Sequence, residues 1–296
     1  MAKIAIIGTG MMGSGLTEAA LKRGDSVTVW NRTIERARPL EKLGAVVAPT
    51  LKEAVQGAER VHIILSDDAA VDAALSQLAP GLAPNAIVID HTTVSPAGTK
   101  ARFSWCDERH ISFLHAPVFM APQSCRDATG LMLCAGPAAR FEQVRPALER
   151  MTGQVWYVGE RRDLAAAYKL FGNSMILTIV GGLSDVFEMG ASLGVDARDA
   201  LSLFSRFKPA GTIDLRGARM ADLNFGASFE LTMARKDLRL MLEAAGSEAA
   251  LTVLPGLAKR MDECLALGLG QQDVAVIAKD GVERSRQTSE LAKESR

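Results

Sequence analysis

Apolar and polar positions follow two textures along the 296 residues. In the first half, short apolar runs alternate with amphipathic stretches. The runs are Ile4–Ile7, a segment ending at Val29-Trp30, Val61–Leu65, Ile87–Asp90, Ile111–Leu114, Leu131–Cys134 and Val155–Val158. Strand-like runs separated by helical patterns predict a mostly parallel sheet covered on both faces. From Asp163 the strand signal stops. Asp163 is placed as an N-cap, an apolar-rich helical pattern continues to about Leu193, and Gly194 stands as its stop. Some thirty helical residues span about 45 Å, enough to leave one domain and form the spine of the next. Later helical patterns cover about 197–206, 229–245, 255–267 and 274–285, and the polar tail from Glu283 is expected to fray. The pattern therefore predicts an α/β domain over 1–162 and an all-helical domain over 163–296, joined by a long interdomain helix.

The first strand runs straight into Gly8-Thr9-Gly10-Met11-Met12-Gly13, then an amphipathic stretch to Gly24 and a second strand ending Trp30-Asn31-Arg32-Thr33. Each glycine meets a separate steric demand of a bound dinucleotide. Gly8 allows the tight turn, Gly10 lets the backbone approach a pyrophosphate, and Gly13 lets the helix pack close to the sheet. Helix-start N–H groups at Met11, Met12 and Gly13 then face the phosphates. A glycine turn of this kind also serves plain close packing, and its place between strand and helix is what favours the cofactor. The N-terminal domain is thus expected to be a Rossmann domain. An NAD site places Asp or Glu about 20 residues past the turn for the ribose hydroxyls. Here Asn31, Arg32 and Thr33 stand there, a cation flanked by neutral donors, which suits the 2′-phosphate of NADP; the alternative is that Arg32 is a solvated loop charge. Ligands of such sheets bind beyond the carboxyl ends of the strands. Leu65 and Ser66, with Asp67-Asp68, and His91-Thr92-Thr93-Val94 occupy that edge, making Leu65, Ser66 and Thr92 further cofactor-contact candidates.

Composition narrows the picture. Lys plus Arg and Asp plus Glu number 34 each, so no net field exists to attract nucleic acid or anionic lipid, and neither is expected as a partner. Hydrophobic residues make up 48% of the chain, as in a globular enzyme. The four cysteines, Cys106, Cys125, Cys134 and Cys264, form no CxxC pair and show no metal-ligand spacing with the four histidines. A reducing, cytoplasmic setting without a metal is expected. With a strand over the first seven residues, no targeting segment is expected ahead of it. The longest apolar stretch, Leu170–Ser184, is interrupted by Asn173, and reads as a buried helix too short to cross a bilayer.

On the long helical pattern, Lys169 and Asn173 lie four apart and so on one face among mostly apolar neighbours. An ammonium there needs a partner, a wet cleft or a depressed pKa. Hydride transfer to a carbonyl develops charge on its oxygen, and a lysine beside an amide can stabilise and protonate it. The alternative is a lysine that snorkels to solvent and an asparagine bonded within the bundle. Periodicity alone does not separate the two.

Five segments in order, Gly8–Gly13, Asp90-His91-Thr92-Thr93-Val94, His115-Ala116-Pro117-Val118, the pair Lys169 and Asn173, and Arg235-Lys236-Asp237-Leu238, give a chain that resembles the β-hydroxyacid dehydrogenases over nearly its full length. That family includes 3-hydroxyisobutyrate dehydrogenases and glyoxylate/succinic semialdehyde reductases and, more distantly, 6-phosphogluconate dehydrogenase and imine reductases. The resemblance implies that Lys169 is the catalytic acid/base and Asn173 its substrate-orienting partner. It implies that Thr92 touches substrate and that Lys236 reaches cofactor and substrate from the helical domain. It also implies a homodimer or higher oligomer, as exposed faces of so long a helix do. On its own, Lys236-Asp237 reads as a surface pair, and Thr92-Thr93 as turn residues.

Two departures matter. The family's Asp-Ala-Pro-Val-Ser-Gly-Gly is here His115-Ala116-Pro117-Val118-Phe119-Met120-Ala121, so Val118, Phe119 and Met120 form the substrate segment without the serine and glycines that receive a carboxylate. One of the family's two adjacent asparagines is Gly172. His115 is expected to make a structural hydrogen bond rather than act in catalysis, His62, His91 and His110 have no better claim, and Cys125 is expected to serve packing. Phe204, Phe207, Phe225 and Phe229 are expected in the core, with the wall of an apolar substrate pocket as their alternative. The reading is an NADP-dependent oxidoreductase acting on a small carbonyl or hydroxy compound of β-hydroxyacid or semialdehyde type, bound in the interdomain cleft. Its rivals are an imine reductase, favoured by Phe119-Met120 and disfavoured by Lys169 and Asn173, and a catalytically silent NADPH-binding regulatory protein.

Overall fold

Successive side chains of a strand point to opposite faces of its sheet, and in the first strand both faces are buried: Ile4 and Ile6 enter one core, Ala5 and Ile7 another. This is why the run reads as continuously apolar. The computed structural model describes residues 2–294. Nine strands form one sheet: β1 (Lys3–Ile7), β2 (Ser26–Trp30), β3 (Val46–Val47), β4 (Arg60–Ile63), β5 (Ile87–Asp90), β6 (Ser112–His115), β7 (Val118–Phe119), β8 (Leu131–Ala135) and β9 (Gln154–Gly159). Their order is β3-β2-β1-β4-β5-β6-β8-β7, with β9 beside β8. From β3 to β6 every pairing is parallel, β8 runs antiparallel to β6 and β7, and β9 is parallel to β8. The first six strands are in Rossmann order, and the crevice lies at the carboxyl ends of β1 and β4, where the order reverses.

Packing divides the chain into two compact units, one ending at Ser174 and the other beginning at Met175. In the second unit, Leu231, Ala234 and Leu238 of one helix pack with Ala258, Met261 and Cys264 of another and with Val276. Asp185, only 1% exposed, accepts the N–H groups of Thr252, Val253 and Leu254 at 2.5–2.9 Å and so caps the helix Leu254–Ala266 from outside it.

The helix Leu164–Ser192 begins just after Asp163, and Gly194, at φ +71°, follows its end. It is not the buried segment its hydropathy suggests. Its 29 residues are long and apolar enough to cross a membrane by length and composition, and only 6% of its most apolar window is buried. Phe171, Met175, Ile176, Leu177, Ile179 and Val180 are all exposed, because no element among the described residues covers that face. The polar stretch from Glu283, expected to fray, lies within a helix over Lys279–Glu294. Ion pairs Lys279–Glu283 and Arg260–Asp280, both at 2.7 Å, and a hydrogen bond from Arg286 to the Ala221 carbonyl pin it. The segment 274–278 ahead of it is 3₁₀. A helix over Gly211–Ala221 carries no strong sequence signal and was not expected. Phe225 packs against the core of the second unit as expected, whereas Phe207 is 58% exposed.

Candidate active site

The turn after β1 has the shape its glycines imply. Gly8 sits at φ +102°, where a Cβ would overlap the Ile64 carbonyl, and a Cβ on Gly13 would overlap the Gly8 carbonyl. Gly10 differs: it precedes the helix Met11–Lys22 with no side-chain cap, and the space beside its Cα is open. An uncapped helix start next to open space fits a pyrophosphate, because the first-turn N–H groups have no intrahelical partner.

A cleft of about 450 Å³ opens from this turn, lined among others by Gly8, Gly10, Met11, Met12, Asn31, Arg32, Thr33, Leu65 and Ser66. Arg36, which sequence reasoning passed over, joins them there. The signal was its place four residues after Arg32, on the short 3₁₀ segment Ile34–Arg36. Both arginines are exposed, and neither forms an ion pair among the described residues. Asn31 holds the loop in place. Its Oδ1 accepts the Thr9 N–H at 3.1 Å and its amide donates to the Thr33 carbonyl at 2.8 Å. The loop is thereby tied to the glycine turn, and Arg32 and Arg36 are the cations among the lining residues of this cleft.

A second cleft, about 350 Å³, shares Met12, Ile64, Leu65 and Ser66 with the first and adds Leu16, His91, Thr92, Thr93, Val118, Met120 and Lys169. Lys169 is positioned by the start of its helix, where the fully buried Ala165 packs on Leu133 and Ala135 of β8, with Tyr168 and Phe119 alongside. Its Nζ donates to Asn173 Oδ1 at 2.9 Å and lies 4.0 Å from the centre of the Phe119 ring. Burial lowers its pKa below the ordinary lysine range. The Lys169–Asn173 pair inferred from spacing is therefore formed. Phe119 touches Lys169 from the other side.

Thr92 is at the cleft but only 2% exposed. Its hydroxyl accepts the Leu65 N–H at 3.1 Å, its N–H donates to Asp90 Oδ1 at 2.9 Å, and its carbonyl faces His115 Nε2 at 3.1 Å. It acts as the anchor of the loop, while the neighbouring Thr93 is exposed at the rim. Beneath lies a buried polar layer. His91 Nδ1 faces the Ala116 carbonyl at 2.7 Å, which fixes it as the donor, so His91 Nε2 is the acceptor for His62 Nδ1 at 2.9 Å. Burial pushes all three histidines toward the neutral form, His115 to about 4, and raises Asp90 to about 6. His115 makes the structural bond expected of it. Cys125 is buried, with its thiol pushed up to about 11 by burial, and packs beside Met12.

Lys236 belongs to the second unit, on the helix Leu231–Ala245, where its ammonium pairs with Asp237 at 2.7 Å.

A glycine cradle at a Rossmann crevice, followed by a lysine-bearing cleft, defines an oxidoreductase with a nicotinamide-cofactor fold. Residues 3–159 match the family described as the NAD binding domain of 6-phosphogluconate dehydrogenase. An uncharacterized oxidoreductase, YfjR, of Bacillus subtilis is 31% identical over 282 residues, 94% of this chain and 99% of that protein. The chloroplastic glyoxylate/succinic semialdehyde reductase 2 of Arabidopsis thaliana is 26% identical over 279 residues, 93% of this chain and 78% of that protein. The chain belongs to the β-hydroxyacid dehydrogenase family. Its fold is also that of an imine reductase from Myxococcus stipitatus solved with NADP+, at a TM-score of 0.86 and 23% identity, covering 94% of this chain and 99% of that one.

Proposed function

We propose that this protein is an NADP-dependent reductase or dehydrogenase that moves a hydride between NADPH and a small carbonyl or hydroxy compound, with Lys169 as acid and base. The observation that carries this is Lys169, hydrogen-bonded to Asn173, lining a cleft that shares four residues with the cleft at the glycine turn. The helix start at Met11–Gly13 would hold the pyrophosphate, and Arg32 with Arg36 the 2′-phosphate. When bound, the nicotinamide supplies the hydride. Lys169, as ammonium, gives a proton to the carbonyl oxygen; as free amine it takes one from the alcohol in the reverse direction. Asn173 accepts one N–H of Lys169 and so aims the others. Thr92, held by Leu65, Asp90 and His115, fixes the loop that lines the same cleft.

The uncovered apolar face of the helix Leu164–Ser192 supports a homodimer or higher oligomer. A second copy suits it better than lipid, because Asp185 on the same helix is buried and ties it to the polar start of another helix. Four free cysteines suit a reducing, cytoplasmic setting.

The test is NADPH oxidation against aldehydes, ketones, glyoxylate and cyclic imines, by the wild type and by Lys169→Ala. Reduction of a carbonyl that falls at least about a hundredfold in Lys169→Ala, with NADPH still bound, is the expected result. Turnover of imines alone would move the protein to the imine reductases. NADPH binding with no turnover would move it to the catalytically silent proteins.

A further inference from the structure

Phe119 and Gly172 are two halves of one replacement. Phe119 lies on β7, and its ring presses on the backbone of Gly172 so closely that a Cβ at 172 would overlap the ring edge. The same ring lies 4.0 Å from Lys169 Nζ, three residues earlier on the same helix. The ring therefore fills the position that a side chain at 172 would take, and it caps the ammonium with a π face.

The consequence is chemical. Of the three N–H groups on Lys169, one is committed to Asn173 and one side is covered by the ring, leaving a narrow approach suited to a single acceptor such as a carbonyl oxygen. The rest of this cleft offers the apolar Met12, Leu16, Ile64, Leu65, Val118 and Met120 beside the uncharged polar Ser66, His91, Thr92 and Thr93, with Lys169 as the one cation among its lining residues. A carboxylate placed beside Lys169 would lose hydration against the apolar part of the lining and the electron-rich ring face, with neutral polar groups but no second cation in the lining to compensate.

We propose that the interlocked Phe119–Gly172 pair selects an uncharged aldehyde or ketone bearing an apolar substituent and rejects a substrate with a carboxylate next to the reacting carbonyl. This rests on the reductase reading above. In the reaction, NADPH is oxidised, its hydride forms the new C–H bond, and the proton from Lys169 completes the alcohol.

Two measurements test it. Steady-state NADPH oxidation compares succinic semialdehyde with pentanal, and glyoxylate with propanal, for the wild type and for the double variant Phe119→Ser/Gly172→Asn. The wild type should favour the uncharged member of each pair at least about tenfold in kcat/KM, and the double variant should shift both ratios toward the acid by a similar factor. A wild type that reduces the acids as well as the aldehydes overturns the proposal alone. One that reduces none of the four overturns the reductase reading with it. Thermal melting supplies the second measurement. Gly172→Ala should lower the Tm in the wild-type background and leave it nearly unchanged in the Phe119→Ser background; equal losses in both would show that the two residues do not share space, and would overturn the proposal.

Discussion

The backbone of Gly13 rests on the carbonyl oxygen of Gly8 with no room for a Cβ between them, whereas a Cβ on Gly10 meets nothing within 4 Å. Two glycines of one motif thus serve close packing, and the third leaves open space beside its Cα. Gly13→Ala is expected to lower the Tm by many degrees or abolish soluble folding, since only backbone movement relieves the overlap. Gly10→Ala should melt close to the wild type yet bind NADPH at least about tenfold more weakly, because its methyl group enters the space a pyrophosphate needs. Thermal melts with fluorescence titration of NADPH check both. Unchanged affinity in Gly10→Ala would remove the cradle from the cofactor site.

Arg32 and Arg36 line the same cleft and form no ion pair among the described residues, although Arg32 stands close enough to Asp67 to help hold its carboxyl ionised. Each charge-assisted contact to a phosphate contributes about 1.5–3 kcal/mol, so Arg32→Ala/Arg36→Ala should weaken NADPH binding by about two orders of magnitude or more while leaving NADH within about threefold. Parallel titrations of the two dinucleotides decide it. Equal loss for both would mean that the arginines do not read the 2′-phosphate.

The fold is legible in the sequence where the pattern is long or the geometry strict. The burial of Ile4–Ile7 on both faces, the glycine turn and the helix from Leu164 follow from pattern and steric demand alone. The Lys169–Asn173 contact is legible because residues four apart share a helix face. What stays hidden depends on packing between distant segments. Thr92 reads as a cleft residue from its motif, and it lines the cleft, but its bonds to Leu65, Asp90 and His115 join segments that the sequence does not connect. Gly172 reads as a lost asparagine, but Phe119, more than fifty positions away, fills its place. The Leu170–Ser184 stretch reads as buried because hydropathy reports what a face needs and not whether its own chain supplies it.

Lys169 as general acid sets a direction of pH dependence. Burial lowers its pKa, so the ammonium is lost at a lower pH than for a free lysine. In the reduction direction kcat/KM should hold at neutral pH and fall as pH rises through that lowered pKa; in the oxidation direction it should rise through the same value. Phe119→Ser uncovers one side of Nζ and, because burial is what lowers this pKa, should move both inflections to higher pH. Profiles measured in both directions check this, and profiles with no shared inflection would exclude Lys169 as the titrating group.

In the second unit Asp273 carries a comparable load without chemistry. Burial alone would raise its carboxyl, but the N–H groups of Ser228, Ala275 and Phe229 and the Ser228 hydroxyl outweigh it and hold it well below the usual carboxylate range. A depressed carboxyl stabilises the fold above its unfolded pKa of about 4 and loses that contribution as pH falls toward the folded value. Asp273→Asn puts an amide donor among these donors and should cost about 2–3 kcal/mol at pH 7, read as a lowered denaturation midpoint. The deficit should shrink on acidification.

The buried histidines under the cleft make the first unit sensitive to acid. His62, His91 and His115 are held neutral by burial in the folded chain, while in the unfolded chain each takes a proton below about 6.5. The unfolded state then binds more protons, so stability falls as pH drops through that value, by up to about 1.4 kcal/mol per pH unit for each histidine. Asp90 acts in the opposite sense. Raised to about 6, it takes a proton in the folded chain first and recovers stability between about 6 and 4, one group against three. His115→Gln tests the balance, because a glutamine amide can still donate to the Thr92 carbonyl and does not titrate. The variant should unfold at nearly the wild-type denaturant concentration at about pH 7.5 and at a higher one at about pH 5, where the wild type has lost the contribution of His115. An unaltered slope of stability against pH between about 7 and 5 would show that this histidine is not held neutral by the fold.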